Sequence, residues 1–381
     1  MISGRDGNKG YILIAVVLIM MVFACASCGN KVELQEPLND EKYRTDLKWG
    51  FIDSGGNMVI EPQYDVAWQF SEGLAAVAID GKIGYIDMEG DMVIEPRFEN
   101  DYKSPVPKYW LYRAGSIYFC EDRALVQIDE KYGFIDKDGN MVVEALFEYA
   151  FSFSDGLAAV KIGDKWGYID TAGNIVIEPE FEGVDSFFEG LAVVVADGKS
   201  GYIDTAGNVV IEPIFDTASK FSEGLAAASA GGGDGYRYWG YINDEGSWAI
   251  EPAYRFETHL REEKIFFSDG LACLYSSYID VNGNTVIDSG FDEGFPFSEG
   301  IAMARVGELY GFIDKEGNWI LEPRFESASS FSEGMADVRL DDNWGYIDSN
   351  GNMVIEPQYK DALGFSEGLA PVQVLVEVPD T

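Results

Sequence analysis

Short apolar runs alternate with turn residues along almost the entire chain. The stretch from Trp166 to Phe181 shows the pattern, because two runs of aromatic and β-branched residues flank a polar turn in "WGYIDTAGNIVIEPEF". Such runs are typical of short β-strands, and Asp, Gly and Asn between them are typical of a hairpin turn. The stretch therefore predicts two strands joined by a hairpin, with Pro179 ending the second strand.

A third strand is predicted after each hairpin. An aromatic, an alanine and a second aromatic follow at a spacing of three, as in Tyr64, Ala67 and Phe70. This spacing predicts one compact 3₁₀-like or helical connection with its apolar side inward. The letters "SEG" then predict a second turn, and "LAAV" predicts a strand of small residues.

The same unit recurs at a period of about 34 residues, which indicates a repeat protein. A ninth, degenerate copy has Ser277 in the glycine position and "VIDSGF" in place of "VIEPxF", so we expect a departure at residues 276–290. The copies fill residues 47–376 and leave a tail at 377–381. The glycine after the first aromatic of each regular copy is Gly50, Gly84, Gly133, Gly167, Gly201, Gly240, Gly311 or Gly345.

The repeats predict an all-β fold. Their strands are apolar on both faces, so each three-stranded antiparallel meander needs a neighbour on either side. We predict a tandem array of about nine such meanders and favour an open superhelical stack. A closed or near-closed β-propeller is the alternative, although propeller blades usually have four strands and rings usually have four to eight blades.

The N-terminus has the pattern of a secretory signal. Arg5 and Lys9 precede an apolar run from Tyr11 to Phe23, which is short for a transmembrane helix and typical of a signal peptide. The run leads to "ACASCGN", which resembles a bacterial lipobox. We therefore predict a lipoprotein signal peptide at residues 1–27 and lipidation at Cys28.

The residues after Cys28 read as a polar tether over 28–46. A lipid at this point would hold the repeats on the extracytoplasmic face of the cell membrane. Three alternatives remain open, namely lipidation at Cys25, an uncleaved N-terminal anchor and a soluble secreted protein.

The charge of the chain limits its partners. Lys and Arg number 27 against 66 Asp and Glu, which gives a net charge of -39. Such a field repels phosphate backbones, so we expect no nucleic-acid partner and favour cations or basic partners. Each repeat places acids at "ID", "EP" and "SEG". They are predicted to accept hydrogen bonds in turns and caps, with an electronegative stripe that binds weak divalent cations or a basic partner as the alternative.

Catalytic patterns are scarce. Asp136 to Asn140, "DKDGN", resembles the start of a calcium loop, but Phe147 occupies the position of the required bidentate acid. His259 is the single histidine, so a nucleophile–histidine site has one candidate base. We expect no enzyme, cofactor or metal site. A glycan hydrolase with an unrecognised carboxylate pair remains the alternative, since many pairs of acids are present.

Two insertions break the period, near residues 99–120 and 230–266. Aromatic rings with charged donors are typical of surfaces that bind ligands, and loops that depart from a scaffold often carry such sites. A longer hairpin packed on its neighbour is the alternative for the first insertion. Two cysteines, Cys120 and Cys273, either pair or remain buried free thiols. The candidate binding residues are Lys103, Lys108, Tyr109, Trp110, Tyr112, Arg113, Tyr236, Arg237 and Tyr238.

The chain resembles the bacterial WG-repeat proteins, also called KWG-repeat proteins. The resemblance rests on "KWGFIDSGGN" (Lys48 to Asn57), "KYGFIDKDGN" (Lys131 to Asn140) and "KWGYIDTAGN" (Lys165 to Asn174). It implies an all-β repeat module, often found on secreted or surface proteins, with no catalytic residues to transfer. We therefore expect a non-enzymatic, lipid-anchored surface scaffold that binds a protein or an envelope polysaccharide. A glycan hydrolase and a purely structural spacer are the alternatives.

Overall fold

The computed structural model describes residues 43–99, 117–231, 237–255, 265–288 and 290–379, and every named element in them is a β-strand. The first eighteen strands are β1 Tyr43–Asp53, β2 Met58–Tyr64, β3 Val66–Ser71, β4 Leu74–Ile79, β5 Lys82–Ile86, β6 Met92–Glu99, β7 Phe119–Cys120, β8 Arg123–Ile128, β9 Lys131–Ile135, β10 Met141–Phe147, β11 Leu157–Ile162, β12 Lys165–Asp170, β13 Ile175–Phe181, β14 Gly183–Val184, β15 Leu191–Ala196, β16 Lys199–Asp204, β17 Val209–Phe215 and β18 Thr217–Ala218. The remaining strands are β19 Ala226–Gly231, β20 Arg237–Ile242, β21 Trp248–Arg255, β22 Phe267–Ser268, β23 Leu271–Cys273, β24 Ser277–Asp280, β25 Thr285–Asp288, β26 Glu293–Ser298, β27 Ile301–Val306, β28 Leu309–Ile313, β29 Trp319–Phe325, β30 Ser327–Ala328, β31 Met335–Leu340, β32 Asn343–Asp348, β33 Met353–Tyr359, β34 Asp361–Ala362 and β35 Leu369–Pro379.

The repeats lie in one compact unit, Arg44–Val378. Within the described ranges, no helix has the length and apolar character needed to cross a membrane.

Most repeats form a four-stranded antiparallel sheet, such as β14-β15-β16-β17, whereas β3 to β10 form one eight-stranded sheet in which β6 pairs with β8. The prediction of an all-β fold of tandem antiparallel repeats is therefore confirmed. The predicted number of three strands per repeat is wrong, because the connection before "SEG" is itself a strand. In the β11-β12-β13 sheet, an isolated bridge between Ala150 and Val160 stands in place of this fourth strand.

A bulge explains why this strand was mistaken for a helical turn. A spacing of three normally places two side chains on opposite faces of a strand. In β3, Ala67 pairs with Val77 and Phe70 pairs with Ala75, so one extra residue is accommodated between the two pairs. The bulge returns Ala67 and Phe70 to the same buried side, where both are about 1% exposed.

A second irregularity explains the glycine of each "WG" pair. Trp49 pairs with Tyr64 and Phe51 pairs with Ile60, so the outer strand β2 carries two extra residues opposite Gly50. A Cβ on Gly50 would lie 2.5 Å from the Ile60 carbonyl oxygen, closer than any side chain can approach. The glycine is therefore required by close backbone contact.

The prediction that proline ends the second strand is also wrong. Pro62 lies inside β2, Met58–Tyr64, which continues past it. Proline is compatible with this position because β2 is the outer edge of its sheet and the bulge contains no regular ladder.

The degenerate copy has a side chain in the glycine position and lacks the close approach of the outer strand. Ser277 pairs with Asp288 at the end of β25, and the register shift found opposite the glycine of regular copies does not occur among these described pairs. The β25 strand has four residues, whereas β17 has seven. A side chain at Ser277 is tolerated because the outer strand does not fold back over it.

The core lies between neighbouring sheets. One cluster combines Tyr168 and Ile177 of one repeat with Phe187 and Val194 of the next. The Tyr168 hydroxyl donates to the Asp185 carbonyl oxygen at 2.8 Å, so a buried polar group also joins the two repeats. Burial raises the pKa of Tyr168, and the phenol therefore stays protonated.

The two ends of the repeat unit share one sheet, which we call the closing sheet. Its strand order is β2-β1-β35-β34, so the first and last strands are hydrogen-bonded neighbours. The closing sheet also contacts the sheet that contains β3, because Ser366 Oγ donates to the Phe70 carbonyl oxygen at 2.8 Å. The succession of sheet contacts within Arg44–Val378 is therefore cyclic. The sequence favours an open stack, whereas this end-to-end pairing is the feature expected of the closed alternative.

Candidate functional site

The "SEG" motif forms a tight turn between the first two strands of each repeat. Ser71 pairs with Leu74, so Glu72 and Gly73 make a two-residue hairpin loop. Both residues have positive φ, 55° and 84° respectively. Two positive φ values define a type I′ turn, which suits the twist of paired strands but is unfavourable for glutamate. The strained backbone at Glu72 therefore needs stabilising contacts from the surrounding structure.

The carboxylate of each such acid holds the turn of the following repeat. Glu299 accepts the backbone N–H groups of Glu333 and Gly334 at 2.8 and 2.9 Å. Glu333 does the same for Glu367 and Gly368 at 2.7 and 2.9 Å. Positive φ at both turn residues directs these N–H groups toward the neighbouring carboxylate, and charge-assisted bonds of this kind are strong.

The contact recurs around the described repeats without interruption, and we call the participating residues the acidic circle. The circle closes because Glu367 accepts the N–H of Gly73 at 2.8 Å. Eight of the acids are exposed and Asp269 is half-buried. The acidic circle consists of Glu72, Glu121, Asp155, Glu189, Glu223, Asp269, Glu299, Glu333 and Glu367.

A lysine joins the circle at one position. Lys137 Nζ lies 2.7 Å from Asp122 Oδ1 and 3.2 Å from Glu72 Oε2. The hydrogen bond from Lys137 lowers the pKa of Asp122, and the same bond raises the pKa of Lys137. Lys137 comes from the turn where the sequence resembles a calcium loop, so a protein cation occupies this part of the acidic surface.

A serine hydroxyl next to the circle forms a second contact between repeats. Ser154 Oγ donates to the Phe187 carbonyl oxygen at 2.6 Å, and Ser332 Oγ donates to that of Phe365 at 2.8 Å. Phe188 replaces this serine in one repeat. At that junction the Nζ of Lys220 lies 4.0 Å from the centroid of the Phe188 ring. A cation–π contact thus stands where other junctions have a hydrogen bond.

The acids of the "ID" turns are also structural acceptors. Asp136 Oδ1 accepts the N–H groups of Asp138 and Asn140 at 3.1 and 2.8 Å. The carboxylate that would have begun a calcium loop is therefore part of a turn. Across the described part of the chain, no group of three or more His, Cys, Asp or Glu side chains is arranged to hold a metal ion. Weak binding of divalent cations stays a prediction.

Hydrogen bonding shifts the titration of these turn acids. The Asn174 side chain and backbone N–H hold the pKa of Asp170 below its ordinary value, as Asn208 does for Asp204. Asn243 occupies the same position in one repeat and accepts the Ser247 N–H at 2.9 Å without a charge.

The glutamates of the "EP" pairs differ from both groups. They lie on the outer strands and are exposed, like Asp288 in the degenerate copy. They supply the negative charge of the outer surface and also protect exposed strand edges from pairing with other chains. The set comprises Glu61, Glu95, Glu178, Glu212, Glu251, Glu322 and Glu356, and Glu144, which is followed by Ala145, occupies the same position in its repeat.

Most of the predicted binding residues fall outside the described ranges. Arg237 and Tyr238 are described at the start of β20, where Arg237 is exposed and its Nη1 donates to Thr217 Oγ1 at 2.9 Å. Cys120 and Cys273 are both free thiols. Cys28, His259 and the other candidates lie outside the described residues, namely Lys103, Lys108, Tyr109, Trp110, Tyr112, Arg113 and Tyr236.

An exposed aromatic cluster was missed from the sequence. Tyr149 is 52% exposed, and its ring centroid lies 6.4 Å from that of Trp166. Phe151 packs on Trp166 at 5.1 Å, and Lys161 Nζ lies 5.6 Å from the centre of the Tyr149 ring. The signal was the aromatic in "FEYAFSF", where other repeats have small or polar residues before the alanine.

A surface groove of about 500 Å³ lies beside β1. Its charged groups contact one another, because Lys48 Nζ lies 2.5 Å from Asp65 Oδ1 and the Asp80 N–H donates to Asp65 Oδ2 at 2.8 Å. Asp65 therefore has a structural role in this groove, which Asp46 and Asp80 also line.

A family profile described as the WG-containing repeat matches residues 49–82, 83–100, 132–166, 166–199, 201–233, 239–257, 277–310, 310–344 and 344–374. The chain belongs to the WG-containing repeat family. The match includes the degenerate WG repeat that begins at Ser277. It assigns no ligand.

The other comparisons add little to the WG-repeat assignment. A search of curated proteins found no match. Among solved structures, Hsv2 of Kluyveromyces lactis is 13% identical, with 74% of this chain and 96% of that chain covered and a TM-score of 0.36. The WD40 domain of Toxoplasma gondii coronin is 9% identical, with 90% and 87% covered and a TM-score of 0.33. Likenesses at these scores carry no functional argument.

Proposed function

We propose that this chain is a non-enzymatic interaction scaffold whose ligand is a protein with a basic surface. The acidic circle is the observation that carries the proposal of a scaffold. Each of its acids contacts the next repeat through the same backbone groups, from Glu72 to Glu367 and back to Gly73. Such contacts favour a rigid support for surface loops, and rigid supports bind at a lower entropic cost.

The net charge supports the choice of a basic protein as ligand. The chain carries -39, and the acids of the "EP" pairs are exposed on the outer strands. A surface of one sign attracts an oppositely charged partner over a distance and raises the association rate. An envelope polysaccharide is the second candidate, because the Tyr149–Trp166 cluster offers aromatic faces with a nearby lysine.

The contacts of the acids support binding over hydrolysis. A glycan hydrolase needs a proton donor and a second carboxylate held on either side of the scissile bond. The acids of the "ID" motif instead accept hydrogen bonds within their own turn, as Asp170 does, and those of the "SEG" motif accept them from the next repeat, as Glu299 does. We therefore propose no catalytic role for them.

We further propose that the protein is a bacterial lipoprotein. The motif that ends in Cys28 supports a lipid anchor, and the polar residues between Cys28 and β1 would hold the repeats at the extracytoplasmic face of the membrane. Mass spectrometry of the cellular protein tests this directly. A lipid on Cys28 is expected, whereas an unmodified N-terminus contradicts the anchor.

The test of the ligand is a capture experiment with the repeat unit and an extract of the native envelope. Bound protein should be released as salt rises from about 50 to about 500 mM, because screening weakens exposed charge pairs. A glycan bound through aromatic rings should remain at high salt. Captured material that is salt-insensitive polysaccharide would contradict the basic-protein ligand.

Two matched variants locate the binding charge. The first replaces Glu178, Glu212 and Glu356 on outer strands by Gln, and the second replaces Glu72, Glu189 and Glu299 of the acidic circle by Gln. Both remove three charges. A larger loss with one set assigns the ligand to that surface, and equal losses indicate the field of the whole chain. No loss with either set contradicts a charge-driven ligand.

A further inference from the structure

One buried acid departs from the pattern of its repeat. Asp337 lies in β31 and is 1% exposed. The same position is alanine in three other repeats, at Ala76, Ala159 and Ala227, all buried. A buried carboxyl at a position that elsewhere holds a methyl group requires partners for both of its oxygens.

The structure supplies a partner for only one oxygen. Ser329 Oγ donates to Asp337 Oδ2 at 2.6 Å. Asp337 Oδ1 has no hydrogen-bond partner among the described residues and is inaccessible to solvent. An ionised carboxylate in this place would therefore leave charge on an unpaired buried oxygen, which is costly.

The unpaired oxygen faces the closing sheet. A Cβ placed on Gly364 would lie 3.7 Å from Asp337 Oδ1 and 3.5 Å from the Gln69 amide nitrogen. Gln69 Nε2 donates to the Gly364 carbonyl oxygen at 3.0 Å, which joins the first repeat to the last. Asp337 thus lies beside the closing sheet, in which the two ends of the repeat unit meet.

The surroundings of Asp337 favour its neutral form. The titratable groups that face it are Asp361 of β34 and the buried phenol of Tyr346 in β32. Among the described residues, no cation contributes to its shift. Burial raises the pKa of Asp337 to about 6, hydrogen bonds from the Ser329 side chain and from the Asp337 backbone oppose this rise, and the negative charge of Asp361 adds to it.

We propose that Asp337 makes the junction between β30–β33 and the closing sheet sensitive to pH. The junction is tight while the carboxyl is neutral, because a protonated carboxyl leaves no buried charge. It loosens when the carboxyl ionises, because opening hydrates the unpaired oxygen. A pKa raised in the folded state contributes stability that is complete below the ordinary value near 3.8 and lost as pH rises through about 6.

Loosening at this point would release the closing sheet from the neighbouring repeat. Two kinds of bond cross the junction. Ser332 Oγ donates to the Phe365 carbonyl oxygen, and the Glu333 carboxylate accepts the N–H groups of Glu367 and Gly368. The exchange of these two N–H groups with solvent deuterium therefore reports opening of the junction.

Hydrogen exchange on the whole chain tests the proposal. Protection factors, corrected for the intrinsic rate at each pH, are measured between about pH 5 and about pH 8 for Glu367 and Gly368. The N–H groups of Glu223 and Gly224, which contact Glu189 in the same way at 2.8 and 3.0 Å, are the internal control. We expect the protection factors of Glu367 and Gly368 to fall by about tenfold or more, relative to those of the control amides, as pH rises across this range. A difference of one pKa unit corresponds to a tenfold change.

Two variants separate ionisation from packing. Asp337→Asn cannot ionise and should remove the pH dependence at Glu367 and Gly368 while leaving the control unchanged. Asp337→Ala recreates the residue found at Ala76 and should do the same if the Asn variant fails to fold. An equal pH dependence at both junctions overturns the proposal, as does a dependence that persists in either folded variant.

Discussion

The Glu367 carboxylate accepts the backbone N–H of Gly73 at 2.8 Å, although 294 positions separate the two residues. The same contact between Glu299 and Gly334 spans 35 positions and measures 2.9 Å. The junction between the ends of the repeat unit therefore uses the chemistry of its internal junctions. The two ends can be joined without special residues, because each repeat already carries the backbone N–H donor and the carboxylate acceptor.

Removing the closing acid should cost as much as removing an internal one. Glu367 and Glu223 each accept one N–H of a following turn, at 2.8 Å in both cases. We expect Glu367→Gln and Glu223→Gln each to lower the free energy of unfolding by about 0.5–1.5 kcal/mol, since a charge-assisted bond becomes a neutral one. Urea titration followed by tryptophan fluorescence measures both.

The difference in stability loss between Glu223→Gln and Glu367→Gln tests whether the closing contact forms in solution. A loss in Glu223→Gln with no loss in Glu367→Gln would show that the closing contact contributes nothing in solution. Similar losses in both support the cyclic succession of repeats.

The sequence predicts the repeat, its hairpin and its turns because these depend on neighbouring residues. Gly173 with φ of 87° and the Asp170 acceptor follow directly from local turn chemistry. The fourth strand was missed because a bulge between Ala67 and Phe70 gives it the spacing of a helical turn. Pairing of β1 with β35 could not be predicted, since it joins segments that no local pattern relates.

The contacts of the candidate site likewise fall into those that the sequence predicts and those that it does not. The acids of the "ID" turns could be assigned as acceptors because donor and acceptor lie within one turn, as in Asp136 and Asn140. The acidic circle could not be assigned, because Glu299 contacts a turn 34 residues away. Asp337 was visible in the letters "MADV" as an acid among small apolar residues. Its importance depends on burial, which the sequence does not show.

The cation–π contact at the Phe188 junction should be measurable by a double-mutant cycle. Lys220 Nζ lies 4.0 Å from the Phe188 ring centre and 5.3 Å from that of Phe266. We expect a coupling energy between Lys220→Ala and Phe188→Ser of about 0.5–1 kcal/mol. Phe188→Ser also restores the hydroxyl that other repeats direct at a phenylalanine carbonyl. Equilibrium unfolding of the wild type, both single variants and the double variant gives the coupling, and a value near zero contradicts a stabilising contact.

Glycines in different backbone environments should differ sharply in their tolerance of a methyl group. A Cβ on Gly167 would lie 2.4 Å from the Ile177 carbonyl oxygen, which is part of the backbone. We expect Gly167→Ala to destabilise the chain by more than about 2 kcal/mol, because the outer strand must move. Gly364→Ala is the control, since its nearest neighbour would be 3.5 Å away. Thermal melts should separate the two, and a mild effect of Gly167→Ala contradicts the close-approach argument.

Low pH should remove the stability that a charged turn acceptor contributes. Asp170 Oδ1 accepts the N–H groups of Ala172 and Asn174 at 3.0 and 2.8 Å, and its Oδ2 accepts the Asn174 side-chain amide at 2.9 Å. The Asn174 side chain, followed by its backbone N–H, lowers the pKa of Asp170 from 3.8. A lowered folded-state pKa contributes stability that is present above the ordinary value and lost as pH falls through the folded value.

A variant that copies another repeat of the same chain isolates this effect. Asn243 and Ser247 occupy the positions of Asp170 and Asn174, and Asn243 accepts the Ser247 N–H at 2.9 Å. The double substitution Asp170→Asn with Asn174→Ser therefore keeps the turn but removes its titrating group. We expect the variant to be less stable than the wild type at neutral pH, and we expect the difference to shrink as pH falls below the ordinary value of 3.8 and Asp170 becomes protonated. Urea midpoints measured across this range test the expectation, and a difference that does not change with pH shows that the turn gains nothing from its charge.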